Sequence, residues 1–535
     1  MAEQENSKDL ISVLWSGADI LRSKMDANEY KNYLLGIVFY KYLSDSFLIK
    51  VYDMICDDKP ESLKEALDVY VEELQGEDAD ELIKEMKDEC HYIIEPELTY
   101  TCFADTARNN VFNREQLQKA FNNIEQSDPI FADLFADIDL YSNRLGAGDQ
   151  KQSDTIASLI REIDKADLLN TDAEILGNAY EYLIGQFASE TGKKAGEFYT
   201  PQAVSKILTQ IAIAGQEDKR GLSVYVPCMG SGSLLLNAKK YAEKPEYIKY
   251  YGQELNTSTY NLARMNMFLH GISPENQNLR NGDTLDEDWP TGEETDFNMV
   301  LMNPPYSAKW SAATGFLQDE RFSDYGVLAP KSKADYAFLL HGLYHLKGNG
   351  TMAIVLPHGV LFRGAAEGKI REKLLRSGNI YAVIGLPANL FYNTSIPTCI
   401  IVLKKQRDLL CRDVLFIDAS KKFNKGKKQN EMTDQHIAEV MELYSKRETV
   451  EKESFLASFD DIEKNDFNLN IPRYVDNFEK EEEIDLNELL SEMKKTDEEL
   501  QQTQTEFMSL LKELTSPDEK IMSSLNNLIE KMEGR

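Results

Sequence analysis

The sequence predicts an α/β fold, with a mostly parallel sheet covered by helices on both faces, an N-terminal all-helical domain and a C-terminal helical tail. Three observations predict it. Helix-forming residues with spaced apolar positions fill the start of the chain, short apolar runs alternate with helical stretches in the middle, and a charged, leucine-containing segment closes it. We therefore expect three parts, residues 1–160, 165–476 and 477–535.

The N-terminal part is predicted to be helical from about Ser12 to about Ile160. It contains stretches such as "NYLLGIVFYKYLSDSFLIKVYDMI" and has few glycines or prolines. Apolar residues recur there at the three- and four-residue steps of an α-helix, so one face of each helix is expected to be buried.

The middle part supplies the strands of the predicted sheet. Its apolar and β-branched runs are "LSVYVP", "YYGQE", "FNMVLMN", "TMAIVLP", "YAVIGLP" and "TCIIVLKK". Helical stretches between strands indicate parallel pairing, because a crossover helix returns the chain to the same end of the sheet. The last two runs are close in sequence, so we expect them to form an antiparallel hairpin at one edge.

The tail carries apolar residues at mixed three- and four-residue steps, and a "TSPDE" break divides it into two amphipathic pieces. Two interpretations are open. The tail is either a helical hairpin packed on its own domain or a docking element for a partner.

Composition and charge limit the classes of function. The formal net charge of the 535 residues is -32, which disfavours a chain that grips a phosphate backbone alone, so any nucleic-acid substrate is expected to be held with a partner. The six cysteines form no C-x-x-C pair, which favours reduced thiols over disulfides or a zinc site. No apolar stretch approaches the roughly 20 residues needed to span a bilayer. We expect a soluble cytoplasmic protein.

A glycine loop is the first motif with chemical content. In "VYVPCMGSGSLLL", residues 224–236, a predicted strand leads through the glycines into a predicted helix. Such a loop lies where α/β sheets bind nucleotides, although an ordinary tight turn explains a lone Gly-x-Gly equally well. The candidate cofactor-binding residues of this loop are Cys228, Gly230, Ser231, Gly232 and Ser233.

Two acidic residues strengthen the cofactor hypothesis. Glu254 ends the second predicted strand, where a carboxylate commonly accepts hydrogen bonds from ribose hydroxyls, and Asp283 follows the third, where a carboxylate can accept from an adenine amino group. The glycine loop is not followed by a P-loop lysine, so a nucleoside without a triphosphate is favoured. S-adenosylmethionine fits, because its carboxylate can bind amides at a helix start. His341 and His345 lack the H-E-x-x-H context of a zinc site, so we predict a structural pair and no metal.

The candidate catalytic motif is "NPPY", which comprises Asn303, Pro304, Pro305 and Tyr306 at the end of the fourth predicted strand. A conjugated amino group is a poor nucleophile, and the Asn303 oxygen and the Pro304 carbonyl can accept its two hydrogens and free its lone pair. The two prolines fix the backbone, and Tyr306 offers a face on which a planar group can stack.

Asn-Pro-Pro-Tyr after a strand, with an earlier glycine loop, resembles the amino-methyltransferases that act on adenine N6 of DNA or on glutamine side chains. The resemblance implies a Rossmann-like S-adenosylmethionine-dependent methyltransferase sheet. "GEFYTP" at 196–201 is similar to the segment by which the DNA adenine enzymes hold the methionyl part of the cofactor. It implies cofactor binding by Glu197, Phe198, Tyr199, Thr200 and Pro201.

Together with the helical parts and "NLNIPRYVD" at 468–476, nearly the whole chain resembles the modification (methyltransferase) subunit of type I restriction-modification systems. That family implies a complex of two such subunits with one DNA specificity subunit, joined by a separate restriction subunit. It also implies double-stranded DNA as substrate, with the target adenine flipped out of the helix. "LFYNTSIP" resembles the family's segment near the flipped base, where Phe391 or Tyr392 either stacks on the base or packs in the core.

One position departs from the family pattern. An acidic residue usually precedes the proline of the glycine loop, and this sequence has Val226 there. Two other functions therefore stay open: a protein glutamine N5 methyltransferase, which shares Asn-Pro-Pro-Tyr, and a non-catalytic assembly subunit that keeps the fold.

Overall fold

The computed structural model describes residues 2–166, 173–190, 199–292, 295–392, 394–408, 411–427, 429–477 and 486–533. The chain divides into two compact units, Met1–Asp476 and Asn477–Arg535. Among the described residues, no helix is both long and apolar enough to cross a membrane.

The N-terminal region is helical, as the sequence predicts. Its described α-helices are α1 (Ala2–Arg22), α2 (Ala27–Ile55), α3 (Leu63–Glu73), α4 (Ala79–Cys90), α5 (Tyr100–Arg108), α6 (Arg114–Ser127) and α7 (Asp149–Ile163). The central helix α2 is buried along most of its length, and aromatic rings fill the space around it, including Phe121 stacked on Phe135 with centroids 4.3 Å apart. The buried Lys41 ammonium is paired with Asp45 at 2.7 Å, which satisfies a charge that burial would otherwise penalise.

The central sheet has the predicted mostly parallel arrangement. Its described strands are β1 (Ser223–Val226), β2 (Lys249–Glu254), β3 (Gln277–Asn281), β4 (Phe297–Met302), β5 (Leu346–Pro357), β6 (Ile380–Gly385), β7 (Thr398–Lys404), β8 (Val414–Asp418) and β11 (Ser454–Ala457). They lie in the order β11-β8-β6-β7-β5-β4-β1-β2-β3, and β7 and β11 are antiparallel to their neighbours. Strands β9 (Asn424–Lys425) and β10 (Asn430–Glu431) form a separate ribbon.

The expected antiparallel pairing of "YAVIGLP" with "TCIIVLKK" is confirmed, because β6 pairs with β7. The expected edge position of this hairpin is wrong, because the sheet continues past both of its strands: β7 also pairs with β5, and β6 also pairs with β8. Residues 398–403 of β7 are buried on both faces, which suits an interior strand, and β8 and β11 extend the sheet beyond β6.

Helices cover both faces of the sheet. The described α-helices of this region are α8 (Ala173–Glu190), α9 (Gln202–Ile213), α10 (Ser233–Tyr241), α11 (Thr257–Leu269), α12 (Asp335–Tyr344), α13 (Ala365–Arg376), α14 (Asp434–Lys446) and α15 (Phe459–Lys464). Successive strand residues point to opposite faces, so Val224 and Val226 pack in one apolar core and Tyr225 packs in the other.

Helix α11 joins the helical region to the sheet. Arg264 donates to the Ala132 carbonyl at 2.8 Å, and Asn261 donates to the Asp133 carbonyl at 2.9 Å. The side chain of Arg264 is buried, so these bonds satisfy donors that water does not reach.

Strand β1 lies between β2 and β4, so the chain reverses its direction of progress across the sheet at that strand. The crevice outside the carboxyl ends at such a reversal is where α/β sheets bind ligands. The glycine loop follows β1 and the Asn-Pro-Pro-Tyr motif follows β4, so the two motifs flank this crevice.

The described residues of the C-terminal unit form two helices that contact each other, α16 (Leu486–Glu513) and α17 (Glu519–Glu533). Leu514, between these helices, is exposed, and so are several of their large apolar side chains: Leu489, Leu490, Met493, Leu500, Phe507, Leu510, Ile521, Leu528 and Met532.

Candidate active site

The glycine loop has the strand-loop-helix geometry that the sequence predicts. Gly230 and Gly232 adopt φ angles of 56° and 82°, in the left-handed region that glycine tolerates best. The Met229 amide donates to the Gln253 carbonyl at 2.9 Å, which fixes the loop to the end of β2. Ser233 is the first residue of α10, so the loop delivers the chain into the helix start.

Glu254 ties the glycine loop to the loop after β2. Its carboxylate accepts from the Gly230 amide at 3.1 Å and from the Asn256 amide at 2.9 Å. These bonds hold the carboxylate at the carboxyl end of β2, beside the crevice. The position suits an acceptor for the vicinal hydroxyls of a ribose.

Asp283 lies two residues beyond β3 and accepts from the Leu285 amide at 2.9 Å. The next residue, Thr284, donates its hydroxyl hydrogen to the Pro227 carbonyl, so the Asp283 loop is joined to the glycine loop. The Arg321 guanidinium donates to the carbonyls of Thr284 at 3.0 Å and Leu285 at 3.2 Å. The buried Arg321 side chain therefore helps to hold the Asp283 loop in place.

These loops surround a cavity of about 450 Å³. It is lined by Pro227, Cys228, Gly230, Glu254, Leu255, Asn256, Thr259, Asp283, Thr284, Pro305, Ala308 and Phe338. The volume lies in the usual range for sites that enclose a small organic ligand. The structure thus brings together four of the sequence-predicted cofactor residues, whereas Ser231 and Ser233 are buried beside the cavity and hydrogen-bond each other at 3.3 Å.

Cys228 lines this cavity as a neutral thiol. Burial raises its pKa well above the ordinary range, and the neighbouring carboxylates of Glu254 and Asp283 raise it further. A thiol with a raised pKa is a weak nucleophile at neutral pH, so Cys228 contributes shape and not covalent chemistry.

Asn303 directly follows β4 and is 2% exposed. Its side-chain nitrogen donates to the Thr200 hydroxyl oxygen at 3.1 Å, and its side-chain oxygen accepts from the Tyr306 hydroxyl at 2.9 Å. Burial raises the pKa of Tyr306 well above the usual value, so its phenol stays protonated and donates. The Tyr306 ring meets Phe391 edge to face, with centroids 5.8 Å apart.

The residues of "GEFYTP" divide between described and undescribed parts. Glu197 and Phe198 lie outside the described residues. Tyr199 is close to Tyr392, with ring centroids 6.2 Å apart, and burial raises its pKa. Pro201 is the N-cap of α9. Thr200 contacts the Asn303 side chain, a contact that the resemblance alone did not imply.

Val226, the departure from the family pattern, is fully buried among apolar side chains of the sheet. Phe391, one of the two candidates for base stacking, is buried against the Tyr306 ring, and Tyr392 is half-buried.

His341, His345 and Asp288 lie within one small cluster. Burial lowers the pKa of His341 well below its ordinary value, so its Nδ1 accepts from Arg321 at 3.2 Å and its Nε2 donates to the Tyr225 hydroxyl at 2.8 Å. His345 meets the Thr295 carbonyl and the Asp288 carboxylate. All four ring nitrogens therefore have hydrogen-bonding partners, an arrangement typical of a structural pair.

Comparison with known proteins gives matches over most of the chain. The family model described as N-6 DNA Methylase matches residues 171–483, and the one described as HsdM N-terminal domain matches residues 10–163. The type I restriction enzyme MpnII methylase subunit of Mycoplasma pneumoniae is 36% identical over 519 residues, covering 91% of this chain and 92% of the relative.

Two further relatives are also described as type I methylase or methyltransferase subunits. The type I restriction enzyme MjaVIII methylase subunit of Methanocaldococcus jannaschii is 32% identical, over 91% of this chain and 82% of its own. A crystal structure of the type I restriction-modification system methyltransferase subunit from Streptococcus thermophilus is 59% identical, with a TM-score of 0.86. It covers 88% of this chain and 100% of its own.

Proposed function

Since this chain belongs to the N-6 DNA methylase family, as the methyltransferase subunit of a type I restriction-modification system, we propose that its β1–β4 crevice methylates adenine N6 in DNA with S-adenosylmethionine. The observation that carries the assignment of the site is the position of Asn303. This side chain lies at the carboxyl end of β4, its amide donates to Thr200, and Pro305, two residues later, lines the cavity.

The residues of the cavity fit S-adenosylmethionine. Glu254 is held at the end of β2, where it can accept from ribose hydroxyls, and Asp283 is held where it can accept from the adenine amino group of the cofactor. Phe338 and Pro305 supply apolar surface for the purine ring. The cofactor, when bound, supplies an electrophilic methyl group on its sulfonium.

Asn303 and Pro304 prepare the target amino group. The lone pair on adenine N6 is delocalised into the ring, so acceptors that bind both N–H hydrogens direct the lone pair away from the ring plane. Because Thr200 accepts from the Asn303 nitrogen, the amide presents its oxygen and not its NH₂ group toward Tyr306.

Tyr306 has two roles in this proposal. In the structure its hydroxyl donates to the Asn303 oxygen, so an incoming adenine competes with it for that acceptor. The phenol ring then offers a face for the flipped base, and its edge contact with Phe391 limits how far the ring moves. The transfer needs aligned groups more than a strong base.

As a subunit, the chain works in a complex with other subunits. We propose two copies with one DNA specificity subunit, which reads the target sequence, and a restriction subunit that joins them. The net charge of -32 supports this division, because phosphate contacts come chiefly from lysine and arginine. The exposed apolar side chains of α16 and α17 are our candidates for the docking surface of the tail.

The experiment that tests the site is transfer of labelled methyl from S-adenosylmethionine to DNA by the chain co-purified with its specificity partner. Asn303→Ala is expected to abolish label on adenine N6, and Asn122→Ala, at an exposed asparagine of α6, is expected to retain it. Transfer that survives Asn303→Ala would contradict the assignment. An intact DNA-bound complex without transfer would favour an assembly role and direct attention to Val226.

A further inference from the structure

The chain leaves the catalytic motif through a strained residue. Ser307, directly after Tyr306, has a φ of 51°, in the left-handed region that non-glycine residues rarely adopt. Such a conformation is strained and persists only where the surroundings hold it. The Ser307 amide donates to Asp335 Oδ1 at 2.9 Å, so one identified carboxylate holds the exit of the catalytic loop.

Asp335 is itself fixed by a second partner. Its side chain is 0% exposed, and its Oδ2 accepts from Arg363 Nη1 at 3.1 Å. Arg363 also donates to Glu367 at 2.8 Å. Burial raises the pKa of Glu367, which the Arg363 charge partly offsets. The buried carboxylate of Asp335 therefore joins the loop after β4 to the segment after β5, with both of its oxygens engaged.

Backbone bonds extend the same connection. The Ala334 amide donates to the Ala308 carbonyl at 2.9 Å, and the Trp310 amide donates to the Lys331 carbonyl at 3.1 Å. Asp335 is the first residue of α12, and Phe338, one helical turn later, lines the cavity. One helix start thus contacts the exit of the catalytic loop, and the next turn contacts the cofactor cavity.

We propose that Asp335 is a positioning residue for the catalytic loop, with Arg363 orienting its carboxylate. The proposal rests on the role assigned to Asn303, because it states how the loop that carries Asn303 is held. Asp335 acts through Ser307 and does not touch the reacting atoms. Catalysis by alignment is sensitive to displacement, since a shift of about 1 Å costs roughly 100-fold in rate.

The test is Asp335→Asn in the complex with the specificity partner, with methyl transfer to DNA and binding of S-adenosylmethionine measured on the same preparation. The amide has one acceptor for two donors: either its oxygen stays on the Ser307 amide and its NH₂ group faces Arg363, or its neutral oxygen faces Arg363 and its NH₂ group faces the Ser307 amide. We expect kcat to fall roughly 10- to 100-fold while cofactor Kd stays within about threefold. Asp324→Asn, at an exposed carboxylate in the turn at residues 323–325, is the matched control and is expected to match wild type.

A lower kcat with an unchanged cofactor Kd distinguishes a positioning role from a folding defect. An unchanged kcat in Asp335→Asn would overturn the proposal. A fall in kcat that only matches a fall in the number of cofactor-binding sites per chain would also overturn it, because both would then reflect a smaller folded fraction. Should Asp335→Asn not fold, Arg363→Lys takes its place, since it leaves the Ser307 contact and alters only the orienting partner. A kcat lowered roughly 3- to 10-fold is then expected, and wild-type kcat would overturn the proposal.

A double-mutant cycle adds an independent readout. In Asp335→Asn combined with Arg363→Met, the clash of donors is gone, so the two losses are expected to be less than additive. Wild-type complex without any transfer would overturn the proposed function itself. Wild-type transfer that Asp335→Asn leaves intact would overturn only the positioning role.

Discussion

The side-chain nitrogen of Asn303 donates to the hydroxyl oxygen of Thr200 at 3.1 Å, and this bond links the Asn-Pro-Pro-Tyr motif to the "GEFYTP" segment 103 positions earlier. An amide side chain has a donor end and an acceptor end of nearly equal shape, and in the structure the Thr200 hydroxyl oxygen holds the donor end. We therefore expect Thr200 to contribute to catalysis through the orientation of Asn303.

Thr200→Val tests this orientation, because valine keeps the shape of threonine and removes the acceptor. We expect kcat to fall roughly 5- to 30-fold, the equivalent of about 1–2 kcal/mol, with cofactor Kd nearly unchanged. Thr200→Ser is expected to restore most of the rate. Thr106→Val, at a hydroxyl that donates only to a helix carbonyl, controls for the loss of a hydroxyl. A cofactor Kd that rises in step with the fall in kcat would assign Thr200 to cofactor binding instead.

Tyr306→Phe separates the ring of Tyr306 from its hydroxyl. The hydroxyl occupies the Asn303 oxygen in the structure, so its removal leaves that acceptor open for adenine while the stacking surface remains. We expect kcat/KM for DNA to stay equal to wild type or to rise by up to about fivefold, in keeping with one hydrogen bond. Tyr306→Ala is expected to lower kcat/KM at least about tenfold, because stacking on one base is worth about 1–3 kcal/mol. A deep loss in Tyr306→Phe would show that the hydroxyl itself serves the reaction.

Much of this site follows from strand ends that the sequence makes visible. The runs before Gly230, Glu254 and Asn303 are short, apolar and followed by polar or glycine residues, and parallel strands bring their carboxyl ends to one edge. The crevice was therefore predictable from local patterns alone.

Other parts were not predictable, because they depend on contacts between distant segments. Asp335 is 28 positions from Ser307, and its neighbourhood "KADYAF" gives only the signal of a helix start. The contact of Thr200 with Asn303 spans 103 positions. The position of the β6–β7 hairpin away from the sheet edge depends on strands β8 and β11, which lie beyond β6 and whose short runs carry no sign of their neighbours.

Glu254→Gln tests the proposed ribose contact. The carboxylate accepts two backbone amides and would accept the ribose hydroxyls as charge-assisted bonds, which are worth about 1.5–3 kcal/mol each. We expect cofactor Kd to rise at least about tenfold, as measured by calorimetry, and kcat at saturating cofactor to change much less. The exposed Glu246→Gln serves as the matched control. An unchanged Kd would remove Glu254 from the cofactor site.

Arg321→Lys tests the support of the Asp283 loop. The arginine donates to the carbonyls of Thr284 and Leu285 and to His341, and a lysine cannot reproduce this fork of donors. We expect cofactor Kd to rise roughly 3- to 10-fold together with a lower melting temperature, because a buried carbonyl loses its partner. Arg144→Lys, on an exposed ion pair, is expected to change neither quantity. A lower melting temperature with an unchanged cofactor Kd would limit Arg321 to a structural role.

The tail gives a prediction about subunit assembly that does not depend on the methyl-transfer reaction. An exposed apolar residue on a helix contributes to docking only if a partner covers it, and a lysine placed there would carry a charge into the interface. We expect Leu510→Lys combined with Leu500→Lys to leave cofactor binding by the chain unchanged and to abolish co-purification with the specificity subunit. Gln501→Lys adds the same charge at a polar exposed position of α16 and is expected to co-purify normally. Assembly that tolerates the double leucine variant would place the docking surface elsewhere on the chain, because two buried lysines at a contact would weaken it by several kcal/mol.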